Sequence, residues 1–143
     1  MTVNSILATK GGDVISIEPT VTLESAVRKL AEHRIGALLV LGPDHRVVGI
    51  ISERDVVRAL AEHGAGALTQ PLAHAMTRKV VTCARSDTLG ELMERMTSGK
   101  FRHLPVIEQD RLVGMVSIGD VVKHRLREME SESAALQDYI RTA

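Results

Sequence analysis

The sequence has 143 residues, of which 44% are hydrophobic, and its 18 Lys and Arg balance 18 Asp and Glu, so the formal net charge is zero. This length fits one ordinary domain or two small half-domains that share a core, and a neutral chain lacks the basic excess of general nucleic-acid-binding proteins. One cysteine excludes an intrachain disulfide, no apolar stretch approaches the ~20 residues needed to cross a bilayer, and the N-terminus lacks the pattern of a signal peptide. We therefore expect a cytoplasmic protein whose partners include neither nucleic acid nor membrane.

The first half of the chain predicts short strands that alternate with amphipathic helices. Apolar residues recur at helical spacing after the candidate N-cap Thr22, and residues 37–41 form a continuous apolar run typical of a buried strand. In chain order, the predicted elements are a helical turn within residues 2–9, a strand at 14–17, a helix over residues 23–32, strands at 37–41 and 47–51, and a helix at 53–63. After its N-terminal turn, this half has the order β-α-β-β-α.

The same order returns after a linker that contains Gly64, Gly66 and Pro71. The predicted elements are a helical turn at 72–76, a strand at 80–83, a helix after Thr88, strands at 103–107 and from 111, and a helix from about 118. Further along, an apolar stripe continues the helical spacing through Leu136, Tyr139 and Ile140. This tail packs either on the body of its own chain or on a partner chain, and the sequence does not choose between the two.

Two copies of one phrase mark the ends of the two halves. Residues 46–57 and 111–122 share seven of twelve residues, and each copy is an apolar strand, a Ser, an Asp three residues later and the start of a helix. One half alone buries too little surface, so we expect the halves to pack about a pseudo-two-fold axis and to enclose a cleft. The predicted fold is α/β (α+β), with repeats at 1–66 and 67–128 and a helical tail at 129–143.

Asp55 and Asp120 are the leading functional candidates because each follows a Ser by three residues at the start of a helix. A carboxylate can accept two hydrogen bonds from a ribose 2′,3′-diol, as in dinucleotide-binding folds. The pairs Ser52–Asp55 and Ser117–Asp120 also have the spacing of an N-cap residue and an acidic residue at the third helical position. The two interpretations are compatible, although the second alone would be purely structural.

The paired repeats resemble the tandem cystathionine-β-synthase (CBS) domain pair, also called a Bateman module. The resemblance lies in residues 35–40 and 48–55 of the first repeat and in residues 101–106 and 113–120 of the second. Members of this family are usually regulatory modules that bind AMP, ADP, ATP, NAD or S-adenosylmethionine, and stand-alone bacterial members tend to form homodimers. The resemblance implies a non-catalytic energy or redox-state sensor that binds an adenosine nucleotide, AMP first among them, in the cleft between the repeats. It also implies a homodimer that acts on an unidentified protein.

The resemblance assigns roles to individual residues. Asp55 and Asp120 would bind the ribose, beside Ser52 and Ser117. The candidates for the phosphates are basic, namely Arg54, Lys100, Arg102 and His103, and the first repeat has no counterpart to the last two. Adenine would contact the first strand of each repeat and nearby apolar side chains, which are Val14, Ile15, Ser16, Ala37, Val80, Val81, Thr82 and Pro105.

Other chemistry has weaker support. The sequence offers no glycine-rich phosphate loop and no Ser/His/Asp set, so we do not expect an enzyme. Six histidines show no metal-ligand spacing, so we expect no metal, and we expect Cys83 to be a buried structural thiol. The main alternative function is a structural dimerisation module whose sites are empty.

Overall fold

The computed structural model describes residues 1–142, which form two compact units. The central unit is Val14–Val81, and the terminal unit combines residues 1–13 with the chain from Thr82 onward. The helices are α1 Val3–Lys10, α2 Leu23–His33, α3 Glu53–His63, α4 Leu89–Gly99 and α5 Ile118–Thr142, with short 3₁₀ helices at Gly64–Thr69 and Leu72–His74. The strands are β1 Ser16–Ile17, β2 Ala37–Leu41, β3 Val47–Ser52, β4 His103–Glu108 and β5 Arg111–Ser117. The predicted α/β class is confirmed, and no helix within residues 1–142 is long and apolar enough to cross a membrane.

The central unit is a three-stranded sheet in the order β1-β2-β3, with α2 and α3 packed against it. β1 runs parallel to β2, and β2 runs antiparallel to β3. Helix α2 begins at Leu23 because the Thr22 hydroxyl accepts a hydrogen bond from the Ser25 N–H at 3.2 Å, and it ends where Arg34 adopts a left-handed conformation with φ 54°. The core is aliphatic and comprises Leu23, Ala26, Leu30, Leu38, Val40, Ile51, Val56, Ala59, Ala67 and Leu72. The predicted helices and strands from residue 22 to residue 63 are confirmed, whereas the strand predicted at 14–17 is limited to Ser16–Ile17.

The terminal unit has a two-stranded antiparallel sheet, β4-β5, which packs with α1, α4 and α5 around a second aliphatic core. The predicted strand at 80–83 is wrong, because only Cys83 pairs with β4, through a single bridge to Val106. The chain turns directly after Cys83, where the Asp87 carboxylate accepts the Ala84 N–H at 2.8 Å, so pairing with β4 does not continue beyond Cys83. On the other side of Cys83, Val81 is 40% exposed.

Two leading segments precede the repeats: the chain before β1, which contains α1, and the chain between α3 and Cys83. Each leading segment packs with the elements of the other repeat. Helix α1 packs against β5 and α5 of the terminal unit, whereas Leu72 is buried in the core of the central unit. The predicted boundaries placed these segments in the first and the second repeat, respectively. Two glycines at equivalent points of the repeated phrase allow this arrangement. A Cβ atom at Gly49 would lie 2.9 Å from the Thr77 carbonyl oxygen, and one at Gly114 would lie 2.6 Å from Leu7 Cδ2.

Helix α5 is a single 25-residue helix that includes residues 129–142 of the predicted tail, whose last residue lies outside the described residues. Its buried residues, Val121 and His124, lie in its first two turns. The side chains of the apolar stripe in the tail are exposed, with 60% for Leu136, 71% for Tyr139 and 65% for Ile140. The alternative in which this stripe packs on the body of its own chain is therefore wrong, and packing on a partner stays a prediction.

Candidate functional site

In the central unit, Asp55 occupies the third position of α3 and is 4% exposed. Its Oδ2 accepts hydrogen bonds from the Ser52 N–H at 2.9 Å and the Ser52 hydroxyl at 3.0 Å, and the Asp55 N–H donates to that hydroxyl at 3.3 Å. Its Oδ1 accepts the Thr77 hydroxyl at 3.0 Å, and an Arg58 nitrogen lies 3.6 Å away. The carboxylate thus caps α3 as the spacing indicated, and it is fixed where the helix N-terminus favours a negative charge.

In the terminal unit, Asp120 occupies the equivalent point at the start of α5. Its Oδ2 accepts the Ser117 N–H at 2.9 Å, and the Asp120 N–H donates to the Ser117 hydroxyl at 3.1 Å. The ammonium of Lys10, the last residue of α1, donates to the same Oδ2 at 2.6 Å and to the Met115 carbonyl oxygen at 2.8 Å. A cation from the N-terminal segment therefore holds this carboxylate.

The two carboxylates differ in exposure and in the partner that the leading segment supplies. The Asp55 side chain is 5% exposed and the Asp120 side chain 24%. Burial raises the pKa of Asp120, but the hydrogen bonds from Lys10 and Ser117 outweigh it and hold that pKa below its ordinary value of 3.8. Asp120 is therefore ionised at neutral pH and can accept hydrogen bonds from hydroxyl groups.

The predicted phosphate-binding residues lie near the same two junctions. Arg54 precedes Asp55 in α3 and is exposed. In the terminal unit, His103 pairs with Ser117 across β4 and β5, and the Arg102 carbonyl oxygen accepts the Ile118 N–H at 2.8 Å. Lys100 ends α4 in a left-handed conformation with φ 57°. The structure thus brings Arg102 and His103 to the strand end and helix start that hold Asp120.

The predicted adenine-binding residues are divided between the units. Ala37 is 1% exposed and pairs with Ser52 across β2 and β3, which places it beside the Asp55 junction. Pro105 is buried in β4, and its carbonyl oxygen accepts the Cys83 N–H at 2.9 Å. The remaining residues are half-buried or exposed. Ser16 begins β1, and the others lie outside the strands, namely Val14, Ile15, Val80, Val81 and Thr82. Their contact with a ligand stays a prediction.

Sequence reasoning missed Lys10 and Thr77, the residues that contact the two carboxylates from a distant part of the chain. Both lie in the segments that lead into a repeat, and the pairs they form are separated by 110 and 22 residues. Neither residue belongs to a recognisable motif. Their role arises because each leading segment crosses the other repeat, which no local pattern indicates.

Other reactive groups are buried or isolated within residues 1–142. Burial, followed by the nearby Asp87 charge, raises the pKa of the Cys83 thiol to about 12, as expected for a structural cysteine. His124 is 5% exposed; its Nδ1 lies 2.9 Å from the Asp120 carbonyl oxygen, and its Nε2 has no partner within the described residues. No group of three or more His, Cys, Asp or Glu among residues 1–142 is arranged to hold a metal ion.

Comparisons with known proteins agree with the repeat. The CBS domain pattern matches residues 3–62 and 72–127. The chain is 32% identical over 147 residues to the mitochondrial CBS domain-containing protein CBSX3 of Arabidopsis thaliana, covering 97% of this chain and 71% of that protein. Among solved structures, the CBS-domain protein ATU1752 of Agrobacterium tumefaciens is 48% identical with a TM-score of 0.85, over 87% of this chain and 92% of that chain. The CBS domain protein PAE2072 of Pyrobaculum aerophilum, solved in complex with AMP, is 27% identical with a TM-score of 0.74, over 84% and 89% of the two chains.

The matched regions cover both repeats, and each repeat has one of the two Asp carboxylates at the same strand–helix junction, where it helps to cap the helix. The family pattern, the architecture and the repeated site geometry lead to one conclusion. The chain is a tandem CBS-domain protein.

Proposed function

We propose that this protein is a non-catalytic regulatory module that binds an adenosine nucleotide, AMP first among the candidates, through Asp55 and Asp120. The observation that carries the proposal is the pair of ionisable carboxylates held at equivalent strand–helix junctions by a Ser N-cap. The complex of PAE2072 with AMP supports the same ligand class. ADP, ATP, NAD and S-adenosylmethionine are the other candidates, and a sensor of cellular energy or redox state is the role that such ligands would serve.

A single Asp side chain can cap the helix and bind ribose at the same time. The Ser N–H groups hold Oδ2 of each Asp at 2.9 Å, so the carboxylate keeps its orientation without a ligand. A carboxylate has about four lone-pair positions. Asp120 uses two of them within the protein, which leaves capacity for both hydroxyls of a ribose diol. Asp55 uses three, which leaves capacity for one hydroxyl. A preorganised acceptor loses little side-chain entropy when a ligand binds.

The phosphate groups of the ligand would be bound unequally by the two repeats. Arg102 and His103 lie at the Asp120 junction, and a guanidinium can hold a phosphate with two parallel hydrogen bonds. The equivalent positions of the first repeat hold apolar or small residues, so Arg54 would be its main cation. We therefore expect the two sites to differ in affinity for phosphorylated ligands.

Titration calorimetry on nucleotide-free protein tests the proposal. AMP, ATP, NAD and S-adenosylmethionine are titrated into wild type, Asp55→Ala and Asp120→Ala, and we expect saturable binding of at least one ligand that one or both variants lose. Glu91→Ala is the matched control, because Glu91 completes the capping box of α4 with Thr88 and has no proposed contact with ligand. The control should lose stability but keep binding. Absence of binding to all four ligands by folded wild type would contradict the proposal and favour a structural dimerisation module.

We also infer that the protein is a homodimer, and helix α5 supports this inference. Its exposed apolar side chains follow a heptad spacing through Val122, Leu126, Met129, Leu136 and Ile140, interrupted by Ser133, and we call this stripe the α5 seam. Each apolar member is at least 43% exposed. Most of the stability of a helix in a protein comes from packing of its apolar face, so a second copy of the seam would stabilise α5.

A further inference from the structure

Lys10 makes two hydrogen bonds that bring an ammonium group onto the proposed ribose acceptor of the terminal unit. Its Nζ lies 2.6 Å from Asp120 Oδ2 and 2.8 Å from the Met115 carbonyl oxygen. The Lys10 and Asp120 side chains are 37% and 24% exposed, so the pair is accessible to solvent and to a ligand. A charge-assisted hydrogen bond of this kind occupies capacity that a ribose hydroxyl would use.

The central unit holds its equivalent carboxylate differently. The leading segment supplies the neutral Thr77 hydroxyl, which donates to Asp55 Oδ1 at 3.0 Å. The nearest ion-pair partner is Arg58, at 3.6 Å and with a side chain that is 59% exposed, so solvent weakens this interaction. The early parts of the two repeats are 66 residues apart in the sequence, as Thr22 and Thr88 show, so the counterpart of Lys10 is Met76, which carries no charge.

We propose that Lys10 makes the Asp120 site selective for phosphorylated adenosine compounds over the nucleoside. This inference rests on the proposed function. A ribose diol that binds both oxygens of Asp120 competes with the Lys10 ammonium at Oδ2, which already accepts hydrogen bonds from Lys10 and from the Ser117 N–H. A ligand that carries a phosphate offers a replacement anion within reach of the flexible lysine side chain, whereas adenosine offers none. Loss of the contact between Lys10 and Asp120 therefore weakens the binding of adenosine and leaves the binding of AMP largely unchanged.

The size of the effect follows from the exposure of the pair. A partly exposed ion pair contributes a modest free energy, which corresponds to about a fivefold change in an equilibrium constant. We therefore expect Lys10→Met to raise the affinity of the Asp120 site for adenosine about fivefold. Methionine is chosen because it is the residue at the equivalent position of the other repeat, Met76. The ratio of AMP affinity to adenosine affinity should fall by the same factor or more.

The experiment measures adenosine and AMP binding by calorimetry in the Asp55→Ala background, where the Asp120 site remains. Lys10→Met is compared with Lys10→Arg, which keeps the cation, and with Lys123→Met, which removes an exposed charge one helical turn beyond Asp120. We expect the AMP-to-adenosine ratio to fall in Lys10→Met and to stay within twofold in both controls. An unchanged ratio in Lys10→Met, with AMP binding that still depends on Asp120, would overturn the role of Lys10 and leave the proposed function intact.

A second measurement uses the protein without substitutions, in case the Asp55→Ala background does not fold. Salt screens an exposed ion pair, so raising NaCl from 0.05 to 0.5 M should weaken the Lys10–Asp120 contact. Adenosine affinity should then rise while AMP affinity falls. An adenosine affinity that is constant or falls with salt would overturn the inference, and folded wild-type protein that binds neither ligand would overturn both the inference and the proposed function.

Discussion

Replacement of Gly49 by Ala should destabilise the central unit by an amount that the local geometry predicts. A Cβ atom at this position would lie 2.7 Å from Met76 Sδ and 2.9 Å from the Thr77 carbonyl oxygen. The sulfur can move, but the Thr77 oxygen accepts the Ile50 N–H at 2.9 Å, so a shift of that backbone would break a hydrogen bond. Overpacking of this kind costs about 1–3 kcal/mol. We expect a loss of about 2 kcal/mol in the free energy of unfolding, or about 6 °C in Tm.

Urea denaturation and calorimetric melting measure this loss, and Gly90→Ala provides the matched control. Gly90 lies in α4, and a Cβ there would approach nothing closer than 4.0 Å, so this variant should gain up to about 1 kcal/mol from helix propensity. Gly114→Ala should fall between the two, because its Cβ would meet the flexible Leu7 side chain rather than backbone. A Gly49→Ala protein as stable as wild type would refute the close crossing of the leading segment over β3. A displaced Thr77 should also reduce ligand binding that depends on Asp55, since the two side chains are hydrogen-bonded.

The remaining predictions concern pH, thiol reactivity and assembly. Because the pKa of Asp120 is lowered in the folded state, its stabilisation is present above pH 3.8 and is lost as pH falls through the lower folded value. The stability difference between wild type and Lys10→Met, measured by urea unfolding, should therefore shrink between pH 7 and pH 3; a constant difference would contradict the ion pair. Burial raises the pKa of Cys83 to about 12, so Ellman's reagent at pH 8 should react far more slowly with native than with urea-unfolded protein, and equal rates would show an exposed thiol. Leu136→Glu should shift the mass in sedimentation from dimer towards monomer while Ala135→Glu, outside the α5 seam, should not; a wild-type monomer at high concentration would refute the dimer.

Most of the fold could be predicted from local patterns because the repeat presents each pattern twice. Thr22 and Ser52 cap α2 and α3 where the sequence placed the helix starts, and β2 is buried along the apolar run. The predicted strand at 80–83 failed for a reason outside the local sequence. β-branched residues favour a strand, but a strand also needs a pairing partner, and only Cys83 of this segment pairs with β4.

The contacts of the candidate site are also of two kinds: those that the local sequence predicts and those that only the fold creates. The Ser-x-x-Asp spacing is local, so the sequence alone determined that Asp55 and Asp120 would start helices, and the repetition of the phrase indicated a shared role. Only the tertiary structure decided what else touches them. The leading segments cross the opposite repeats over glycines, and this crossing places Thr77 on one carboxylate and Lys10 on the other. A sequence records side-chain chemistry and local spacing, whereas contacts between residues 110 positions apart depend on the path of the backbone through the fold.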